Sequence, residues 1–273
     1  MFLAKGLDER VMSVRIAVVG GTGLVGRYVA AAAAEAGHEP VVLARSRGVD
    51  ITTGTGLDQA LVGVGAVIDV SNVVTAGRRT SEAFFTAGTG QLLAAGQRAG
   101  VRHHVALSIV GVDRVGFGYY QGKRAQEELV LAAEWGSVLR ATQFHQFAQQ
   151  VLARSRGPLA LVPRMRIQPI GAQEVAVALV ALAAGPPVGL AAELAGPEQH
   201  QLVDLARRLA RARGQHRPIL GVRLPGKAGR DMAAGGLLPT ESGPRGKQTF
   251  EQWLATELAT TAGPGHAAAG SLS

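Results

Sequence analysis

Three residues in the middle of the chain have the types and spacing for proton transfer. Tyr119 and Lys123 stand four apart in Tyr119-Tyr-Gln-Gly-Lys123, at the start of a helical stretch, so they share one helix face. A tyrosine hydroxyl, with an ordinary pKa near ~10, is a poor acid at neutral pH. A nearby ammonium favours the phenolate and lowers that pKa, which would make Tyr119 a usable proton donor to a carbonyl under reduction. With three tyrosines and four lysines in 273 residues, a Tyr-x-x-x-Lys arises by chance roughly 0.04 times. A lysine among so many arginines is itself informative, because a compact ammonium and a rigid guanidinium are not equivalent. The competing reading is an ordinary exposed helix pair. Ser108, at the end of the preceding strand, can bond a substrate oxygen or orient the tyrosine. Tyr120 has the same spacing to Arg124, so the choice of Tyr119 rests on Lys123.

A second chemistry-bearing stretch is Val14-Arg-Ile-Ala-Val-Val-Gly20-Gly-Thr-Gly23-Leu-Val-Gly26. It reads as a buried strand, a glycine turn and the opening of a helix, Leu24–Ala36. Glycines there permit a tight turn, close approach of backbone N–H groups to a pyrophosphate, and close packing of helix on strand. The helix N-terminus adds unpaired donors and partial positive charge. The bare spacing is weak, since 37 glycines give roughly 0.7 such triplets by chance; the strand before it and the helix after it carry the dinucleotide reading. Gly20, Thr22, Gly23, Leu24 and Gly26 are the candidate contacts.

These residues need elements to position them. After the first helix, Pro40–Ala44 is a second strand ending in Arg45-Ser46-Arg47. A NAD site usually has Asp or Glu there for the ribose 2′-hydroxyl; cations suit a 2′-phosphate, so NADP(H) is favoured over NAD(H). Two surface arginines in an arginine-rich chain is the plainer alternative. Asp50-Ile51 follows, then a third strand at Ala66–Val70 ending in Ser71-Asn72. A long helix is expected over Thr80–Ala99 and a fourth strand over His103–Leu107. A helix from near Phe117 to Trp135 and a fifth strand, Ser137–Ala141, lead into Thr142-Gln143-Phe144-His145-Gln146-Phe147. Strands alternating with helices make an α/β, doubly wound parallel sheet. Its ligand lies beyond the carboxyl ends of the strands, where Arg45, Ser71, Asn72, Ser108, Thr142 and Gln143 converge with the glycine turn. Phe117, Tyr120, Gln143, Phe144, His145 and Phe147 are the candidate substrate pocket, with His145 either lining it by hydrogen bonding or adding an acid/base group.

The rhythm changes near residue 156. Short strands, helices at Ala172–Ala184, Leu202–Arg213 and Thr249–Ala259, and a Gly/Pro-rich segment, Pro225–Lys247, follow; that segment reads as a mobile loop over the pocket. The expected division is an N-terminal tail (1–12), a dinucleotide-binding domain (13–155), a C-terminal substrate lobe (156–260) packed on and partly interleaved with it, and a disordered tail (261–273).

Composition narrows the options. The chain has 47% hydrophobic and 18% charged residues and no cysteine, which excludes wholesale disorder, disulfides, thiolate metal sites and a cysteine nucleophile. No metal-ligand spacing is present; His103 and His104 are adjacent in a strand and point to opposite faces. Met1–Val11 has charges inside what would be the apolar part of a signal peptide, and the best apolar run, Leu61–Val74, is short and holds Asp69. A cytoplasmic protein without a membrane span is expected. The net charge is +8, yet the arginines are scattered. Their main cluster, Arg207, Arg208, Arg211 and Arg213, reads as a solvated helix face, so no nucleic-acid partner is expected; a homodimer is possible. Heavy use of Ala, Gly and Arg suits a GC-rich bacterial genome.

The chain resembles the short-chain dehydrogenase/reductase superfamily in its atypical, NmrA-like branch. The likeness spans roughly Val14 to Ala259 and rests on Gly20-Gly-Thr-Gly-Leu-Val-Gly26, Ser108 with Tyr119-x-x-x-Lys123, and Leu139-Arg-Ala-Thr-Gln-Phe-His145. It implies a Rossmann domain with a small C-terminal substrate lobe, and hydride transfer with Tyr119 as acid, Lys123 holding the nicotinamide ribose and Ser108 holding the substrate. Asp50 and Ile51 would lie near the adenine. Ser108 and Tyr119 are eleven apart, closer than in many members. The glycine spacing is that of the extended and atypical branches, some members of which sense the cofactor without turnover. Three functions follow: an NADP(H)-dependent oxidoreductase acting on a carbonyl, quinone or conjugated double bond; a redox sensor; or a non-redox isomerase or dehydratase using His145 and Tyr119 as a proton-transfer pair.

Overall fold

The computed structural model describes residues 13–155 and 157–261. The tails expected at 1–12 and 261–273 lie outside these, apart from Thr261, which ends the last helix. Five strands alternate with helices: β1 (Arg15–Val19), α1 (Leu24–Glu35), β2 (Glu39–Leu43), α2 (Leu57–Ala60), β3 (Ala66–Asp69), α3 (Arg78–Ala99), β4 (His103–Ile109), α4 (Gly118–Leu131) and β5 (Gly136–Ala141). Then come α5 (Phe147–Arg154), β6 (Ala160–Pro163), β7 (Arg166–Ile167), α6 (Ala172–Ala184), β8 (Gly189–Leu190), β9 (His200–Gln201), α7 (Leu202–Ala212), β10 (Ile219–Val222), α8 (Gly226–Ala233) and α9 (Phe250–Thr261).

The main sheet is parallel throughout, in the order β2-β1-β3-β4-β5-β8. The chain steps from β1 to one side and then crosses to the other, which opens a crevice between the ends of β1 and β3. Continuous apolar runs are what a sheet covered on both faces requires. Ile16 and Val18 pack with Val29 and Ala33 of α1 and Val175 and Leu179 of α6. Ala17, Val19 and Val67 face the other way, onto Leu57 of α2 and Leu92 and Ala95 of α3. The fold is therefore an α/β, doubly wound Rossmann-type sheet.

The later part of the chain serves two cores. α6 covers the main sheet and β8 extends it. α5, β6, α7, α8 and α9 surround a second cluster containing Leu152, Val162, Leu205, Leu209, Met232, Phe250 and Trp253. Arg208 of α7 and Arg213 just after it pair with Glu251 (2.9 Å) and Glu257 (3.5 Å) of α9, so much of the expected solvated face is an inter-helix contact. Pro225–Lys247 is not a loose loop: α8 forms within it, and Met232, Leu237 and Leu238 are buried. Apolar burial there overrides the low helix propensity of its glycines. None of the described helices is long and apolar enough to cross a membrane.

Two contacts set the position of α4. Gly122 lies against α3 so closely that a Cβ would fall 2.2 Å from Ser81 Oγ, and that same hydroxyl donates to the Tyr119 carbonyl at 2.8 Å. On the other side, Arg140 of β5 donates from Nε and Nη2 to the two Glu127 carboxylate oxygens at 2.9 and 2.7 Å. Substituting Gly122→Ala is expected to push the helices apart and lower stability by about 1–3 kcal/mol, as overpacking typically does, read as a lower urea midpoint at unchanged slope.

Candidate functional site

The carboxyl ends of the strands border a cleft of about 1130 Å³. The β1–α1 turn forms one edge. Gly20 has φ +75°, and a Cβ on Gly26 would meet the Gly20 carbonyl oxygen at 2.2 Å, so only glycine fits at both positions. No side chain caps α1, and its first turn has no acidic residue, which leaves its positive end to a ligand's anion. Thr22, Leu24, Arg45, Asp50, Ile51, Ser71 and Asn72 continue this wall. Arg47 does not line it. Asp50 is held in a local turn, its Oδ1 accepting from the Thr52 backbone N–H (2.8 Å) and hydroxyl (2.7 Å); those bonds hold its carboxyl below the usual carboxylate range.

Ser108, Tyr119 and Lys123 reach the same cleft. The Tyr119 hydroxyl donates to Asn72 Oδ1 at 2.7 Å. Lys123 is 4% exposed; its ammonium donates to the Leu107 carbonyl and Gln126 Oε1, each at 2.8 Å, and lies 4.4 Å from the centre of the Phe85 ring. Gln126 Nε2 passes the connection on to Asp69 Oδ2 at 2.8 Å, and Asp69 Oδ1 accepts from the Ser71 N–H at 2.9 Å. Burial lowers the Lys123 pKa to about 8, against the opposing pull of Asp69 and Glu127. The expected lowering of the Tyr119 pKa does not occur. Burial raises it, with Tyr120 adding to the rise, while the ammonium's hydrogen bonds go to the β4 carbonyl and the α4 amide.

Several buried polar groups on the cleft wall have no hydrogen-bond partner among the described residues: Ser71 Oγ, Ser108 Oγ and both amide atoms of Gln143. Such groups are costly in a folded protein unless a ligand or water satisfies them. Ser108 therefore does not orient Tyr119; its hydroxyl remains free for a ligand. Thr142 also lines the cleft, but its hydroxyl is committed to the loops around it, donating to the Gln168 carbonyl at 2.6 Å and accepting from the Gly196 N–H at 3.3 Å.

Phe117, Tyr120, Phe144 and Phe147 stand in the cleft as expected; His145 does not. It is 1% exposed, stacks on Trp253 at 5.8 Å, and donates from Nε2 to the Gln248 carbonyl at 3.1 Å. Burial lowers its pKa to about 4, so it is neutral at pH 7. Its partners come from α9 and the segment before it, and the sequence near His145 contains no hint of them. His145 thus does not share the cleft that Tyr119 lines. Conversely, sequence reasoning missed α5, which presents Phe147, Gln150, Val151 and Arg154 to the cleft. Their i, i+3, i+4, i+7 spacing was the available signal. Met165, Leu224 and Met232 complete an apolar far wall.

No protein-family model matches the chain, and no curated protein matches it by sequence. Solved structures share its fold. A short-chain dehydrogenase/reductase superfamily protein from Agrobacterium tumefaciens with bound NAD is 20% identical with a TM-score of 0.67, covering 90% of this chain and 97% of that one. An NADPH-dependent quinone oxidoreductase from Escherichia coli, complexed with NADPH, is 19% identical with a TM-score of 0.64, covering 89% and 99%. The UDP-N-acetylglucosamine 4-epimerase from Bacillus cereus is 15% identical with a TM-score of 0.63, covering 92% and 100%. The chain thus has the fold of the short-chain dehydrogenase/reductase superfamily; fold alone serves many chemistries.

Replacing Gln126 by Met would leave the Asp69 carboxylate and the Lys123 ammonium buried without the amide that joins them. A loss of about 3 kcal/mol, the order seen when a buried charge loses its partner, is expected in urea unfolding at pH 7.

Proposed function

We propose that the protein is an NADP(H)-dependent oxidoreductase of the short-chain dehydrogenase/reductase superfamily, acting on a carbonyl, quinone or conjugated double bond of a small organic molecule. One observation carries this: the unpartnered hydroxyls of Ser71 and Ser108 and the Gln143 amide share one cleft with Tyr119, Lys123 and the Gly20–Gly26 cradle. The uncapped N-terminus of α1, held close against the glycine turn by Gly26, suits a pyrophosphate. Arg45, at the end of β2 with no carboxylate beside it in sequence, suits a ribose 2′-phosphate. Asp50 and Ile51 would border the adenine, and Lys123 the nicotinamide ribose. A bound nicotinamide supplies or accepts the hydride.

The remaining chemistry belongs to the chain. Ser108 Oγ donates to the substrate oxygen. Tyr119, released from Asn72, donates its proton to that oxygen as charge develops there. Its burial keeps the phenol protonated across the physiological range, so it acts as a neutral acid. Lys123 is an ammonium at pH 7 and loses its charge as pH rises through about 8; turnover is expected to fall over the same interval. A pH profile flat to pH 10 would remove Lys123's charge from the reaction.

Calorimetric titration with NADPH and NADH tests the cofactor. NADPH should bind more tightly, and Arg45→Ala should weaken NADPH by about 10-fold, the order of one charged hydrogen bond, and NADH by less. With a panel of quinones and ketones, Tyr119→Phe should lower kcat by about 100-fold or more. Binding without turnover on any substrate would favour the sensor, and no binding of either nucleotide would overturn the proposal.

A further inference from the structure

Of the described residues lining the cleft, four are charged: Arg45 and Asp50 at the adenine end, Lys123 in the middle, and Arg154 at the far end. Arg154 has no carboxylate or hydrogen-bond partner among the described residues, whereas Arg140, Arg208 and Arg217 are all engaged. It is the last residue of the α5 stripe that faces the cleft, seven residues after Phe147. At ~1.5 Å rise per residue, its backbone lies about 10 Å further along α5 than that of Phe147. The lining residues contributed by α5 and the later chain are otherwise mostly apolar, Val151, Met165, Leu224 and Met232 among them, with the Gln150 amide beside them, and none of these described residues is acidic.

We infer that the substrate carries an anionic group, a carboxylate or its equivalent, at the end of an apolar body, and that Arg154 receives it. The inference rests on the oxidoreductase reading for the location of the reacting end beside Ser108 and Tyr119. A short oxo-acid, whose carboxylate adjoins the carbonyl held beside Ser108 and Tyr119, would not reach along α5 to Arg154. A longer molecule, with its charge separated from the reacting carbon by an aromatic or aliphatic body, satisfies both ends. Arg154 is exposed, so the contact is that of a partly solvated ion pair, and its effect is a selectivity of severalfold.

The test uses a naphthoquinone bearing a straight-chain carboxylate and its methyl ester, which share a body and differ in charge. Binding of each to the protein saturated with NADP+ is measured by calorimetry, and kcat/KM with NADPH is measured alongside, for the native chain, Arg154→Gln and Arg154→Glu. The acid should be favoured over the ester by about fivefold in both measurements. The preference should fall to about one in Arg154→Gln and reverse in Arg154→Glu. An acid-to-ester ratio that is the same in all three proteins, with turnover intact, overturns the inference and leaves the oxidoreductase reading standing. Arg154-dependent binding of the acid with no turnover supports the anion site and counts against quinone reduction alone. Failure of the native protein to bind either compound overturns the inference.

Discussion

A lysine ammonium removed from water must have its protons taken up by protein acceptors, and the site is arranged around that demand. Lys123 takes the carbonyl of Leu107 at the end of β4, the amide oxygen of Gln126 one turn along its own helix, and the face of Phe85. The amide of Gln126 reaches Asp69 at the end of β3, and Asp69 in turn accepts the N–H of Ser71. One buried cation thus ties α4 to the ends of two strands. Because a buried charge without partners is so unfavourable, this arrangement has few alternatives, and it places Ser71 and Ser108, which neighbour these anchors, at the cleft.

The same helix is held from two further directions. Ser81 meets Gly122 and the Tyr119 carbonyl from α3, and Arg140 of β5 grips Glu127. Tyr119, one turn before Lys123, faces the cleft together with Tyr120. The rigid support and the unpartnered polar groups around it are complementary facts: among the buried side-chain atoms without a partner, those of Ser71, Ser108 and Gln143 lie on the cleft wall, where a ligand would satisfy them, while others, such as those of Thr89 and His104, lie away from it.

The two ends of the cleft have different chemistry. Backbone groups, glycines and Arg45 form the end suited to phosphates, while Val151, Met165, Leu224 and Met232 form an apolar end closed by short helices of the second core. Of those helices, α8 comes from the Gly/Pro-rich segment, where periodicity was weakest. α8 contains two glycines and is held by burial of Met232. α5 is eight residues long, near the length at which isolated helices are unstable in water, so packing supplies its stability.

Local order was legible in the sequence where the physics is local. The glycine turn, the five leading strands, the helices between them and the polar residues at the strand ends all follow from steric allowance, apolar run length and the rule that ligands lie beyond the carboxyl ends of a parallel sheet. The same strand-end rule singled out Ser108, and helical spacing put Tyr119 and Lys123 on one face. The tertiary structure alone decided what surrounds each group. His145 is drawn away from the cleft by Trp253 and Gln248, more than a hundred residues later. The Tyr119 hydroxyl turns to Asn72 and the Lys123 ammonium to Leu107 and Gln126, so burial and not the neighbouring charge governs the phenol. Residue type and spacing determine which groups can approach one another; desolvation and hydrogen-bond direction depend on every packed neighbour, and those are set only when the distant parts of the chain close over the site.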